Sequence, residues 1–250
     1  MSNICKIALS GAIAMTVMVS AVVAAEAEEW DTSLAVGANL NQGNTDTMGV
    51  SAALTTARDY KKMEYRFGIE ANYGENTTTA DDGSENTDKT AQNAKTYANI
   101  KRKLGTPYIY SDNSILHDEI GGIDYRAIIG AGGGFYASDN DEDKLGIEAG
   151  LAYVAEEFES GENDDGLALR LAARHDHTFS ETAKCWASVE YLPNMDDFGD
   201  YLLNAEIGTE TVLNSTLSLR VVAQDRYDNE PPDGLEDNDL AVIAALVYKP

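Results

Sequence analysis

Over residues 63–73 the chain alternates without a break. Met63, Tyr65, Phe67, Ile69, Ala71 and Tyr73 fall on one face, and Glu64, Arg66, Gly68, Glu70 and Asn72 on the other. This is the period of two of a β-strand with one apolar face; a helix would scatter the same residues around its circumference. The pattern returns over residues 145–153, 167–173, 201–207 and 217–223. Runs of this kind predict twelve strands, at 30–41, 47–56, 62–73, 94–103, 107–111, 122–136, 144–156, 167–177, 183–191, 200–213, 216–227 and 240–248. The fifth is short, and the last is apolar on both faces.

Many of these strands reach the roughly 9–11 residues that cross a bilayer when tilted, beyond the 5–6 usual in soluble sheets. Outer-membrane barrels have short periplasmic turns and longer outer loops, so connection lengths test the same idea. With a periplasmic N-terminus, the short connections are 57–61, 104–106, 178–182 and 214–215, with 137–143 as an exception. The other set is 74–93, 112–121, 157–166, 192–199 and 228–239, with 42–46 as the second exception. The fold this predicts is all-β: an antiparallel transmembrane β-barrel of the outer-membrane type, with about twelve strands.

Charge sorts along the same division. The 250 residues hold 43 acidic and 18 basic side chains, a formal charge of −25 that argues against a nucleic-acid partner. The six connections expected outside carry 22 acids against Lys89 alone, whereas Arg58, Lys61, Lys62, Lys101, Arg102 and Lys103 gather at the other end. Outside the first 27 residues no apolar run approaches the roughly 20 a membrane helix needs. Those 27 residues predict a signal peptide: Lys6, an apolar stretch from Ile7 to Val23, then Val23-Ala24-Ala25 or Ala25-Glu26-Ala27 for cleavage. The barrel is then expected over 28–250. Cys185 remains its only cysteine, so no internal disulfide staples it. Tyrosine near strand ends, including Tyr60, Tyr73, Tyr191, Tyr201, Tyr227 and Tyr248, suits an interfacial girdle.

Candidate chemistry is sparse. In a strand, His175 and His177 share one face and Asp176 takes the other, so the three do not converge. His117-Asp118 lies in an expected outer connection, with no serine-nucleophile motif anywhere. Asp139-x-Asp141-x-Asp143 begins like an EF-hand loop, but Lys144 stands where glycine is required. Gly132-Gly133-Gly134 lacks the context of a nucleotide fingerprint and reads as a strand approached closely by its neighbours. No catalytic, cofactor-binding or metal-ligating residue is therefore nominated, and no cofactor beyond weak divalent-cation association with the acidic loops. The polar strand faces carry Glu64, Arg66, Glu70, Asp124, Arg126, Glu148, Arg170, Arg174, Glu190, Glu206, Glu210, Arg220 and Arg226. Inside a barrel these side chains either plug the lumen with salt bridges or line a narrow aqueous path.

Three segments carry a family resemblance: Asn41-Gln42-Gly43-Asn44-Thr45-Asp46-Thr47; Asp124-Tyr125-Arg126; and Arg226-Tyr227-Asp228-Asn229-Glu230-Pro231 followed by Asn238-Asp239. Together they resemble the YdiY-like family of salt-induced outer-membrane proteins, whose domain has no assigned function. The resemblance implies an outer-membrane barrel in the cell outer membrane and supplies no substrate or catalytic residue. The departures are this chain's acidity and its Lys249-Pro250 tail. The expected partners are outer-membrane lipids, lipopolysaccharide and the outer-membrane assembly machinery. The leading function is non-enzymatic: envelope integrity or limited, cation-preferring, passive permeation, linked by the resemblance to salt or osmotic stress. The competing class is an enzyme acting on lipid or lipopolysaccharide, with His117, Asp118, His175 and Asp176 as its only acid-base groups. A secreted soluble β-sandwich is the third.

Overall fold

The computed structural model describes residues 30–41, 45–79, 85–231 and 234–250. The signal peptide expected over residues 1–27 lies outside the described residues, as do residues 42–44, 80–84 and 232–233.

Residues Thr32–Pro250 form one compact unit. The described residues form twelve strands: β1 (Asp31–Asn41), β2 (Thr45–Tyr60), β3 (Met63–Thr79), β4 (Glu85–Lys103), β5 (Pro107–Asp118), β6 (Ile123–Asp139), β7 (Asp143–Phe158), β8 (Asn163–Ser180), β9 (Ala183–Pro193), β10 (Tyr201–Val212), β11 (Leu217–Asp228) and β12 (Asn238–Tyr248). Each pairs with its chain neighbours, and β12 returns to β1 in antiparallel register (Leu34 opposite Tyr248, Gly37 opposite Ala245), so the sheet closes. Closure leaves no strand edge with unpaired backbone groups, which is what a bilayer demands of a β-structure.

Alternation becomes an inside-out distribution. Ile129, Ile207, Leu240 and Val242 point outward and are 60–70% exposed, while Arg170 and Glu210 point inward and are 4% and 3% exposed. Small apolar patches also line the interior: Ala152, Ala168, Leu192 and Leu202 form one, and Ala35, Ala245 and Val247 another. The second explains the doubly apolar last strand. Leu240, Val242 and Leu246 face out, and Ala245 and Val247 face in.

The strands overrun their expected ends. β4 starts at Glu85 and β5 runs on to Asp118, so much of the 74–93 and 112–121 stretches is paired strand rather than loop. Residues 74–79 of β3 pair with 85–91 of β4, and Thr77 and Thr87 share a 2.8 Å hydrogen bond between their hydroxyls. These arms are polar on both faces, so nothing in their alternation marks them as strand. At the other end the turns are 61–62, 104–106, 140–142, 181–182 and 213–216, all of four residues or fewer, which removes the exception at 137–143.

Candidate functional site

Every second side chain enters the lumen, and many of the charges there are paired. At mid-height the buried Arg170 guanidinium donates to Asp112 at 2.9 Å, Glu148 at 2.8 Å and Glu190 at 2.6 Å. It also lies 4.8 Å from the Tyr110 ring centre. Glu148 further accepts from Lys101 at 2.7 Å and from the Tyr108 hydroxyl at 3.0 Å. The tyrosine rings fit because their neighbours are glycines. A Cβ on Gly132 or Gly150 would meet the Tyr110 hydroxyl, and one on Gly134 would meet the Tyr108 ring. The glycine run is a seat for aromatic rings from β5, as the close-approach reading of it expects.

Toward the short turns two acids act as hubs. Glu64 accepts from Lys103 and Lys144, both at 2.8 Å, and from the Tyr136 hydroxyl at 2.7 Å. Glu210 faces Arg220 at 2.7 Å, Lys249 at 2.9 Å and Lys184 at 3.7 Å. The basic tail residue Lys249 thus belongs to the interior network.

Toward the long hairpins the ion pairs run across the barrel. Arg126 on β6 pairs with Glu156 on neighbouring β7 and with Asp228 on β11. Arg226 on β11 pairs with Asp118 on β5 at 3.0 Å. In the ring of twelve, β5 and β11 are six strands apart and β6 and β11 five, so both bridges join facing walls. Beside them a cavity of about 100 Å³ opens, lined by Glu156, Asp164, Asp165, Asn194, Asp200 and Asp228.

The four expected acid-base groups are not brought together. Asp118 and Asp176 face inward, on Arg226 and on Arg174 (2.8 Å). His117 and His175 face outward, each toward the C-terminal end of its strand, which sets them at opposite ends of the barrel because β5 and β8 run antiparallel. His117 Nδ1–H donates to the Asp124 carbonyl at 2.8 Å. Asp124 itself is outside, 61% exposed, and not in the lumen as alternation implies, because a bulge between Ile123 and Tyr125 makes it the extra residue. His175 and His177 share a face as expected, but their partner is Asp143 on β7, at 3.0 and 2.8 Å. Two features escape sequence reasoning: the cross-lumen bridges and this Asp-His-His trio. The signal for the first was present in part, since Arg126, Arg226 and Asp228, three of the four bridging groups, stand in Asp124-Tyr125-Arg126 and Arg226-Tyr227-Asp228, on strands that a ring of twelve places face to face.

A closed twelve-stranded barrel with an apolar outer face and an ionic lumen is an outer-membrane β-barrel, and the outer membrane is where this protein resides. The chain matches the family described as protein of unknown function, DUF481, over residues 34–249, and it belongs to that family, the YdiY-like group its motifs resemble. No curated protein sequence matches it. Among solved structures, the NanC porin superposes with a TM-score of 0.52 at 8% identity, covering 87% of this chain and 99% of that one. The translocator domain of the autotransporter NalP from Neisseria meningitidis gives 0.45 at 15% identity, covering 97% of each chain. The KdgM porin gives 0.44 at 9% identity, covering 88% and 98%. At such identity the likeness to NanC is one of fold.

Proposed function

We propose that this protein is a non-enzymatic barrel for limited passive permeation, constricted by its own salt-bridged side chains and admitting small cations in preference to anions. The observation that carries this reading is the pair of cross-lumen bridges, Arg126 to Asp228 and Arg226 to Asp118, standing above the Arg170 hub. An interior bridged wall to wall leaves no wide aqueous path, so only small ions pass. Their sign is set by the acidic excess toward the long-hairpin end: the six expected outer connections hold 22 acids and one base, Lys89, and of these acids Asp112, Asp118, Asp228 and Glu119 are paired, with Arg170, Arg226, Arg126 and Lys89. Such a mouth concentrates counter-cations. A link to salt or osmotic conditions, which the family resemblance implies, belongs to the same proposal, because fields from exposed charges are screened beyond about 8–10 Å at physiological ionic strength.

Reversal potentials across a planar bilayer under a KCl gradient test the reading. The expected result is cation selectivity that weakens as total salt rises. Anion selectivity would overturn it, as would an absence of conductance. Deacylase assays on outer-membrane lipids, with His117→Ala and His175→Ala alongside, address the enzyme alternative; turnover lost in either variant would favour it.

A further inference from the structure

Outside the lumen, one group of side chains has metal-binding chemistry. Asp143 opens β7 directly opposite His177 of β8, and His175 stands two residues along the same strand, so all three share the outward face. One carboxylate oxygen, Asp143 Oδ1, serves both rings, lying 2.8 Å from His177 Nδ1 and 3.0 Å from His175 Nε2. One donor atom from each residue lies within 4.8 Å of the others. The trio stands beside the 140–142 turn, past the apolar Leu145, and the Phe179 ring meets His177 edge-on at 4.5 Å. All three side chains remain accessible, at 37%, 47% and 29% exposed for Asp143, His175 and His177.

We propose that Asp143, His175 and His177 bind one divalent transition-metal ion of the zinc, nickel or copper class at the outer short-turn rim of the barrel. Two imidazoles and one carboxylate suit such ions, whereas calcium and magnesium take sets made wholly of oxygen. Metal–ligand bonds of about 2.0–2.2 Å in tetrahedral geometry separate donor atoms by about 3.3 Å. The observed 2.8 and 3.0 Å spacings from Asp143 need to open by a few tenths of an ångström, and the two imidazole nitrogens, which lie within 4.8 Å, need to close toward the same separation. Half-exposed side chains can make that adjustment without moving the strands. Each ring binds as neutral imidazole, with its proton on the nitrogen turned away from the ion. Three protein ligands leave a coordination position for water or an outside ligand, and the bound ion ties β7 to β8 next to their turn-side ends. Cys185 lies opposite His177 on β9 but is not part of the trio.

The test is Zn²⁺ titration of the folded, tag-free barrel in detergent, in competition with a chromophoric chelator. The expected result is one ion per chain, retained in Cys185→Ser and His117→Ala. Affinity should fall at least tenfold in Asp143→Asn and be lost in the His175→Ala/His177→Ala double variant, with millimolar Mg²⁺ or Ca²⁺ failing to compete. Zn²⁺ should also raise the temperature at which gel mobility shifts in the parent and not in the double variant. That shift in mobility, present without metal in every variant, shows that each one folds. Unchanged binding in the double variant, loss in Cys185→Ser alone, or no stoichiometric binding would each overturn the proposal.

Discussion

Arg126 is 11% exposed, and Glu156 and Asp228, its two acids, are 9% and 18% exposed. Truncating one side of such a buried pair leaves uncompensated charge, which costs far more than the pair contributes when intact. Arg126→Ala is therefore expected to lower stability by about 3–5 kcal/mol in urea unfolding of the detergent-folded protein. Adding Asp228→Asn and Glu156→Gln should recover much of that loss; if the triple variant is as unstable as the single one, the pairing is not what matters. At the exposed hairpin end, a hydrogen bond from Lys89 holds the Glu119 carboxyl below its ordinary 4.5. A depressed carboxyl stabilises the folded arm above its ordinary value, and that contribution is lost as pH falls through the folded one. Protease resistance of the β3–β4 arm should accordingly drop in acid for the parent, whereas Glu119→Gln should show a flat profile. The histidines teach a related lesson. Alternation correctly put His175 and His177 on one face, but their partner Asp143 lies on another strand, and only the register of β7 against β8 brings it to them.

At the scale of elements, the twelve strands were legible because each has one face in lipid and the other in the lumen, so alternation is strict where burial differs between faces. It fades where both faces are polar, as in the β3–β4 arm, and where an apolar residue turns inward beside polar ones, as with Leu116 between Asp112 and Asp118 in the second half of β5, so both stretches read as loop. Shortening the arm by removing residues 77–87 and joining the ends with a two-residue turn should leave the heat-dependent gel shift intact, since the segment removed holds no large apolar residue. Failure to fold would mean that the arm is part of the stable barrel. The glycines of β6 and β7 mark the opposite situation, a place that tolerates no side chain. In Gly150→Ala the new methyl meets the Ala131 carbonyl and the Tyr110 hydroxyl, and overpacking of this kind should cost about 1–3 kcal/mol by the same urea measurement.

For the whole molecule, the inverted distribution of polarity is the property that a soluble sandwich cannot share. An arginine at the centre of the outer belt, as in Ile129→Arg or Leu171→Arg, should cost about 2–4 kcal/mol in liposomes. A water-soluble sheet would accept the same change at these exposed positions with little effect. The state of the lumen was the part least legible from sequence, because a list of inward charges does not say which wall each one reaches. Arg126 and Arg226 acquire their meaning only when β5, β6 and β11 take facing places in the closed ring. The most direct test of the constricted barrel is single-channel conductance of the parent and the Arg126→Ala/Arg226→Ala variant under identical salt. A small conductance in the parent that rises several-fold in the variant is the predicted result. A parent that already conducts as a wide pore, with no change in the variant, would contradict it.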